Sequence, residues 1–425
     1  MTPLPNGAAI GVIGAGPAGT FFALHLLGCL RESGRSARIT LFDRRTFDNS
    51  GPSGCNMCAG AIGVEMVGKL ERLGLPLEER VVRRIADGYE IHGRAVSVNI
   101  VNPGRGAIYT VFRGGGPVAD GGSKRSFDQF LLDATIARGA EFIHERVESI
   151  ERTPGGFHVG TAEGPGRDFD FLVGAFGVNS MISRKLLTGY VSPRTWHTVQ
   201  AEVPANNEFI LEKLRNRIHI IPAGGKAIRF LAITPKDDFL TLTGIGQYVR
   251  IADLERERLE NPILSGLLPP GSKFLCHCHP QVPVGIGKNP VAERVAIVGD
   301  AFISRYLKNG IESSYDTSRI LAEAVVRFGI SEKALRDYFC RPCLRQFRYD
   351  NVWGQALFGI YEGILRKGQL SDAFLRCVTA DAASKGSQAH ILWSVFAGDA
   401  PYREIAKEAF TPRSLYELSR SVLFG

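Results

Sequence analysis

The sequence predicts an α/β chain in which a parallel-sheet nucleotide-binding domain is interrupted by an antiparallel sheet and followed by helices. Three observations predict it. A short apolar strand at Ala8-Ala9-Ile10-Gly11-Val12-Ile13 runs at once into the glycine loop Gly14-Ala15-Gly16-Pro17-Ala18-Gly19, alternating runs fill the middle of the chain, and helical periodicity takes over from Ser331.

The chain is long enough, at 425 residues, for two or three lobes, and its 44% hydrophobic and 22% charged residues exclude a disordered, collagenous or coiled-coil protein. Glycine is in excess, 49 residues, with no low-complexity segment to absorb it, so glycines belong at turns and close backbone approaches. The net charge of +8 is spread among acids, as in Leu254-Glu255-Arg256-Glu257-Arg258, which describes a solvated helix face and not a nucleic-acid groove. Attraction to anionic ligands, or peripheral contact with an anionic membrane, stays open. No run reaches the ~18 apolar residues of a bilayer span. Met1-Thr2-Pro3-Leu4-Pro5-Asn6 carries no basic stretch, so no signal peptide is read and a cytoplasmic location is expected.

Each element then has a role. Gly14 permits the tight turn, Gly16 a close approach of pyrophosphate, and Gly19 the packing of the following helix, about Thr20 to Leu30, on the strand. That helix start offers N–H groups and a positive dipole end to phosphates. A second strand, Ala37-Arg38-Ile39-Thr40-Leu41-Phe42, ends in Asp43, 24 residues past Gly19, where an acid can bond a ribose hydroxyl. Together these make a Rossmann-like unit. A later strand, Arg294 to Ala301, ends in Gly299-Asp300, and a helix starts near Asn309-Gly310. An acid there can hold a flavin's ribityl chain, with the helix start facing its pyrimidine edge.

On Gly14, Gly16 and Gly19 with Asp43, Lys124-Arg125-Ser126-Phe127-Asp128, Asp170-Phe171-Leu172-Val173-Gly174-Ala175 and Gly299-Asp300, the sequence resembles FAD-dependent oxidoreductases of the glutathione-reductase-type FAD fold. The group includes geranylgeranyl reductases and aromatic hydroxylases, and the resemblance covers about residues 8 to 330. It implies a Rossmann-like FAD-binding domain of 1–75, 105–187 and 285–330, a substrate or cap sheet of 76–104 and 188–284, and a helical region of 331–425. It also implies that FAD touches Gly14, Gly16, Pro17, Ala18, Gly19, Asp43, Arg44, Cys58, Ala59, Gly60, Val147, Gly177, Gly299, Asp300, Asn309, Gly310 and Ile311, with Lys124 or Arg125 supplying a basic contact. Phe176 stands where the family has an Asp, which leaves NAD(P)H and a ferredoxin-type protein both open as electron donor.

The run Cys55-Asn56-Met57-Cys58-Ala59-Gly60 is similar to the Cys-(Gly/Ala)-Gly element of geranylgeranyl reductases. The resemblance implies that Cys58 lies near the isoalloxazine, where a thiol can protonate a substrate carbon. Cys55 and Cys58 as a dithiol pair, or as small buried residues, are the alternatives. Eight cysteines in a chain with no export signal argue against a disulfide framework. Cys276-His277-Cys278-His279 and Cys340-Arg341-Pro342-Cys343 invite zinc or iron–sulfur, but Cys-x-Cys is poor chelate spacing, and strand alternation puts Cys276 and Cys278 on one face. No metal is assigned.

Arg217 to Ile221, Ala227 to Ile233 and Phe239 to Gly246 alternate as antiparallel strands; the resemblance makes this sheet the cover of a substrate cavity. Its Pro222, Gly244 and Gly246 match the geranylgeranyl reductase pattern, whereas that pattern's aromatics are missing. Trp353, Leu357, Ile360 and Ile364, with Ala356, Tyr361 and Leu365 beside them, form a helical stripe, either packed on the body or facing a lipid. Phe302, Arg305, Tyr306 and Lys308 are expected to border the flavin or its substrate. The expected activity is a geranylgeranyl reductase-like reduction or dehydrogenation of a small apolar substrate, isoprenoid or polycyclic, by hydride transfer at flavin N5. A flavin-dependent aromatic or polyketide monooxygenase, or a flavoprotein electron-transfer partner, are the other readings.

Overall fold

The computed structural model of the chain describes residues 2–51, 59–101, 106–118, 123–178, 180, 182, 186, 189–380, 387–412, 414–416 and 419. Two compact units divide it: Met1–Asn49 with Arg125–Thr195 and Gln281–Tyr349, and Ser50–Lys124 with Trp196–Pro280 and Asp350–Gly425.

In the first unit a six-stranded sheet has the order Val291–Ala292, Val295–Ile297, Phe171–Gly174, Ala8–Ile13, Ala37–Phe42, Glu141–Ile143. All neighbours are parallel except the first pair. Strands apolar on both faces suit a sheet covered on both sides, and Ile10, Val12, Leu41, Leu172, Val173, Ala296 and Ile297 are all buried. The register matters most for function. Ile13 lies beside Phe42 and Gly174, and Gly174 beside Ile297, so four carboxyl ends finish in one row. The loops that leave this row gather at one edge, where open α/β sheets bind ligands. The helices Pro17–Glu32 and Gly310–Phe328 are tied by Ser318 Oγ, which donates to the Ala18 carbonyl at 2.8 Å. A three-stranded antiparallel sheet, Val147–Arg152, Phe157–Thr161 and Arg167–Phe169, completes this unit.

In the second unit a mixed sheet runs Cys276–Cys278, Thr195–Pro204, Phe239–Gly246, Phe230–Lys236, Ile218–Ile221, Tyr89–His92, Ser97–Ile100. The expected alternation is present. Val199, Ala201, Val203, Leu231, Ile233, Leu240 and Leu242 face one side and pack with Ile210, Leu214, Leu254 and Leu264. On the opposite face Tyr89 packs edge-on against Trp393, and its hydroxyl donates to the Phe396 carbonyl at 2.9 Å. A small sheet of Ala61–Gly63, Ile108–Thr110 and Arg84–Ala86 lies in the same unit.

The helix Arg341–Leu365 departs from the expected stripe. Leu357, Tyr361, Ile364 and Leu365 of the stripe are buried, together with Phe358, but Trp353 and Ile360 are 41% and 38% exposed. Packing thus selects a face rotated from the most apolar one. Among the described residues no helix is long and apolar enough to cross a membrane.

Candidate functional site

The edge of the parallel sheet is built around two glycines. Gly14 has φ +109°, and a Cβ there would lie 2.5 Å from the Ala175 carbonyl oxygen; a Cβ on Gly19 would lie 1.9 Å from the Gly14 carbonyl oxygen. Only hydrogen fits at these two positions, so the helix Pro17–Glu32 starts hard against the strand end. Gly16 caps that helix with no side-chain hydrogen bond, Pro17 follows, and no acid lies in the first turn. Its first N–H groups are therefore left to an anion.

Asp43 closes the loop from the neighbouring strand. Its Oδ2 accepts the Ala15 N–H at 3.0 Å and its Oδ1 the Arg45 N–H at 3.0 Å. A carboxylate has about four lone-pair sites, so this pairing leaves capacity for a ribose hydroxyl. Three residues on, Thr46 Oγ1 is buried with no partner, an orphaned polar atom that a ligand would satisfy.

The third contributor is the turn Gly299–Ala301. Gly299 has φ +66° and a Cβ there would meet Ala18 Cβ at 2.8 Å; its N–H donates to Thr317 Oγ1 at 3.3 Å. The strand end, the first turn of one helix and the early turns of another thus meet at one place. The Asp300 carboxylate faces the start of the Gly310–Phe328 helix, with Oδ1 3.5 Å from where a Gly310 Cβ would stand. Asn309 caps that helix in the left-handed region, φ 53°, without a side-chain cap. Ile311 is the helix's next residue, half-buried. In the connecting loop Phe302 is buried in the unit's core, and Tyr306 is buried as well. Burial and the neighbouring Arg305 lower the Lys308 ammonium to about 8. These parts fit a dinucleotide: glycine cradles a Cβ would fill, an open helix start, an orphaned hydroxyl and two acids at strand ends.

The remaining expected contacts divide between the two units. Arg44 is exposed and its carbonyl meets His144 Nε2 at 3.1 Å; Val147 is buried at the start of its strand; Gly177 has φ +64°. Of the basic pair, Arg125 belongs to the first unit, pairs with Asp133 and lies 5.9 Å over the Phe130 ring. Lys124 belongs to the second unit and donates to the Val82 carbonyl at 3.2 Å. Ala59 and Gly60 also belong to the second unit, where a Gly60 Cβ would lie 2.0 Å from the Val111 carbonyl oxygen and 3.1 Å from Lys236 Nζ. Cys55 and Cys58 lie outside the described residues.

The register confirms that Cys276 and Cys278 share a face, opposite Glu202 and Gln200. Burial, with Glu202 beside it, pushes the Cys276 thiol up to about 11, and burial also raises Cys340 and Cys343. Among the described residues no group of three or more His, Cys, Asp or Glu could hold a metal ion. Sequence reading missed Thr46 and Thr317, whose hydroxyls look like ordinary surface or helix positions.

No family model matches the chain, and no curated protein matches it. Solved structures do. A geranylgeranyl bacteriochlorophyll reductase-like protein from Thermoplasma acidophilum is 14% identical, with 95% of this chain and 98% of that one aligned and a TM-score of 0.66. A flavoprotein/dehydrogenase from Cytophaga hutchinsonii is 15% identical over 98% of both chains, TM-score 0.64. The halogenase PltM in complex with phloroglucinol and FAD is 14% identical over 98% of this chain and 90% of that one, TM-score 0.60. The chain therefore has the fold of the FAD-dependent oxidoreductases.

Proposed function

We propose that the protein is a FAD-dependent oxidoreductase of the geranylgeranyl reductase-like kind, acting on a largely apolar molecule. The observation that carries this reading is the convergence of the Gly14–Gly19 loop, Asp43 and Gly299–Asp300 with two uncapped helix starts on one row of strand ends. FAD, when bound, supplies hydride transfer between an electron donor and the substrate.

The chain's own residues bind and orient. The Pro17–Glu32 helix start and the Gly14–Gly19 backbone take the pyrophosphate, Asp43 a ribose hydroxyl, and Asp300 the ribityl chain. The Gly310–Phe328 helix start, with Lys308 two residues ahead of it and Glu312 in its first turn, would face the pyrimidine edge of the cofactor. Cys58 is the proposed proton donor, on its resemblance alone.

Anaerobic titration of the purified protein with NADPH, and separately with a reduced ferredoxin, tests the reading through bleaching of a flavin band. A protein that binds no FAD in either the purified or the reconstituted state overturns it. Cys58→Ala is expected to bind FAD normally and to lose turnover by about a hundredfold or more; unchanged turnover removes Cys58 from the mechanism.

A further inference from the structure

The main sheet of the second unit carries buried polar side chains on one face. Five residues stand side by side across it: Ile220 beside Ala232, Ala232 beside Thr243, Thr243 beside Gln200, and Gln200 beside Cys278. The next row is Thr234, Thr241, Glu202 and Cys276. Gln200 and Thr243 are 4% and 5% exposed, and Glu202, Thr241, Thr234 and Lys236 no more than 1%.

The second row is internally satisfied. Thr241 Oγ1 lies 2.9 Å from both Glu202 oxygens; burial pushes that carboxyl up and Lys236 works against the shift. The first row is not. Gln200 Oε1 and Thr243 Oγ1, directly opposite each other, are both buried and both without a hydrogen-bond partner. Directly opposed side chains on antiparallel strands have Cβ atoms about 5 Å apart, so a single oxygen placed between them can reach both. A buried orphan pair calls for a completing partner, whether ordered water, an ion or a ligand.

We propose that this pair binds one hydroxyl group of a small, otherwise apolar molecule. A hydroxyl donates one hydrogen bond and accepts others, which is the complement of an amide oxygen facing a threonine hydroxyl. The apolar part follows from what shares the face: Ile220, Phe230, Ala232 and Ile245 are half-buried beside the pair, as is Cys278 at the row's end. Aliphatic and aromatic carbon around one polar anchor matches the general make-up of ligand sites. The inference rests on the proposed enzyme activity only in naming the occupant a substrate; the site itself stands on the sheet.

The test compares phenol with toluene, a hydroxyl against a methyl on the same ring, by calorimetric titration of the FAD-loaded protein. Phenol is expected to bind roughly tenfold or more tightly than toluene, since a site built to bond a hydroxyl rejects its apolar analogue. Thr243→Val and Gln200→Met are each expected to abolish that preference, and Thr243→Ser to keep it. In the absence of phenol, Thr243→Val is expected to raise Tm, because it removes an orphaned polar atom and puts carbon in its place. Equal affinity for the two probes in the wild type overturns the proposal, as does occupation of the pair by ordered water that phenol does not displace. A Thr243→Val variant with lowered Tm and an intact preference overturns it too. The flavin's visible band, read on the same samples, reports separately on the cofactor reading.

Discussion

Replacing Gly19 with alanine puts a methyl group more than 1 Å inside the 3.0 Å distance below which Cβ contacts do not occur, with the Gly14 carbonyl oxygen at 1.9 Å and Val12 Cγ1 at 3.2 Å. The clashing atom is backbone, so relief requires the phosphate loop or the helix start to move. Overpacking of this kind costs about 1–3 kcal/mol. Alanine's better helix propensity returns at most about 1 kcal/mol. If the loop gives way, the strain falls on the bound state, and 1–3 kcal/mol corresponds to roughly a 5- to 150-fold weaker Kd for FAD. Titration of apoprotein with FAD, followed by flavin fluorescence, measures it alongside Tm. Gly28→Ala in the same helix is the control: its Cβ would meet nothing within 4 Å, so it is expected to keep FAD and to hold or raise Tm. A Gly19→Ala protein indistinguishable from Gly28→Ala in both Kd and Tm would falsify the reasoning.

Thr241→Val removes the donor that both Glu202 oxygens share while leaving the acid buried, so urea unfolding is expected to show a loss of about 1–3 kcal/mol; no loss would mean the carboxyl is served elsewhere. Burial lowers His25 to about 3 and His92 to about 4, the second with His219 at 2.8 Å contributing. Both values lie below the ordinary ~6.5, so the unfolded chain binds the extra protons; the stability they support is complete above about pH 6.5 and is lost as pH falls toward 4, at up to about 1.4 kcal/mol per pH unit for each histidine. Urea midpoints at several pH values check this, and His92→Gln is expected to flatten the slope; an unchanged slope would assign it to other groups.

What was legible in the sequence follows from how locally each feature is determined. Gly14, Gly16 and Gly19 between an apolar strand and a helix could be read because turn, approach and packing are all set within six residues. The strands at Ala37–Phe42 and Phe239–Gly246 match expectation because two-sided burial and strict alternation leave different periods. The polar row of Gln200, Glu202, Thr241 and Thr243 was illegible for a physical reason. Alternation tells which residues share a face and says nothing of whether that face meets water, so Val-Gln-Ala-Glu-Val reads as a solvated strand although Glu202 is 1% exposed. The stripe from Trp353 to Leu365 holds at Leu357, Tyr361, Ile364 and Leu365 and fails at Trp353 and Ile360, because the helix packs by shape, with Phe358 buried and Trp353 left partly outside. Thr317 acts through Gly299, a partner that only the folded chain brings near it, and the burial that orphans the Thr46 hydroxyl likewise appears only on folding.

The central claim is that the row of strand ends holds FAD, and the most direct measurement is the visible spectrum of the purified protein, with FAD per chain counted after release by denaturation. The account predicts a yellow protein carrying about one FAD per chain, or an apoprotein that takes up one on reconstitution, with Gly28→Ala equal to wild type and Gly19→Ala depleted. A colourless protein that stays colourless after incubation with excess FAD would contradict it.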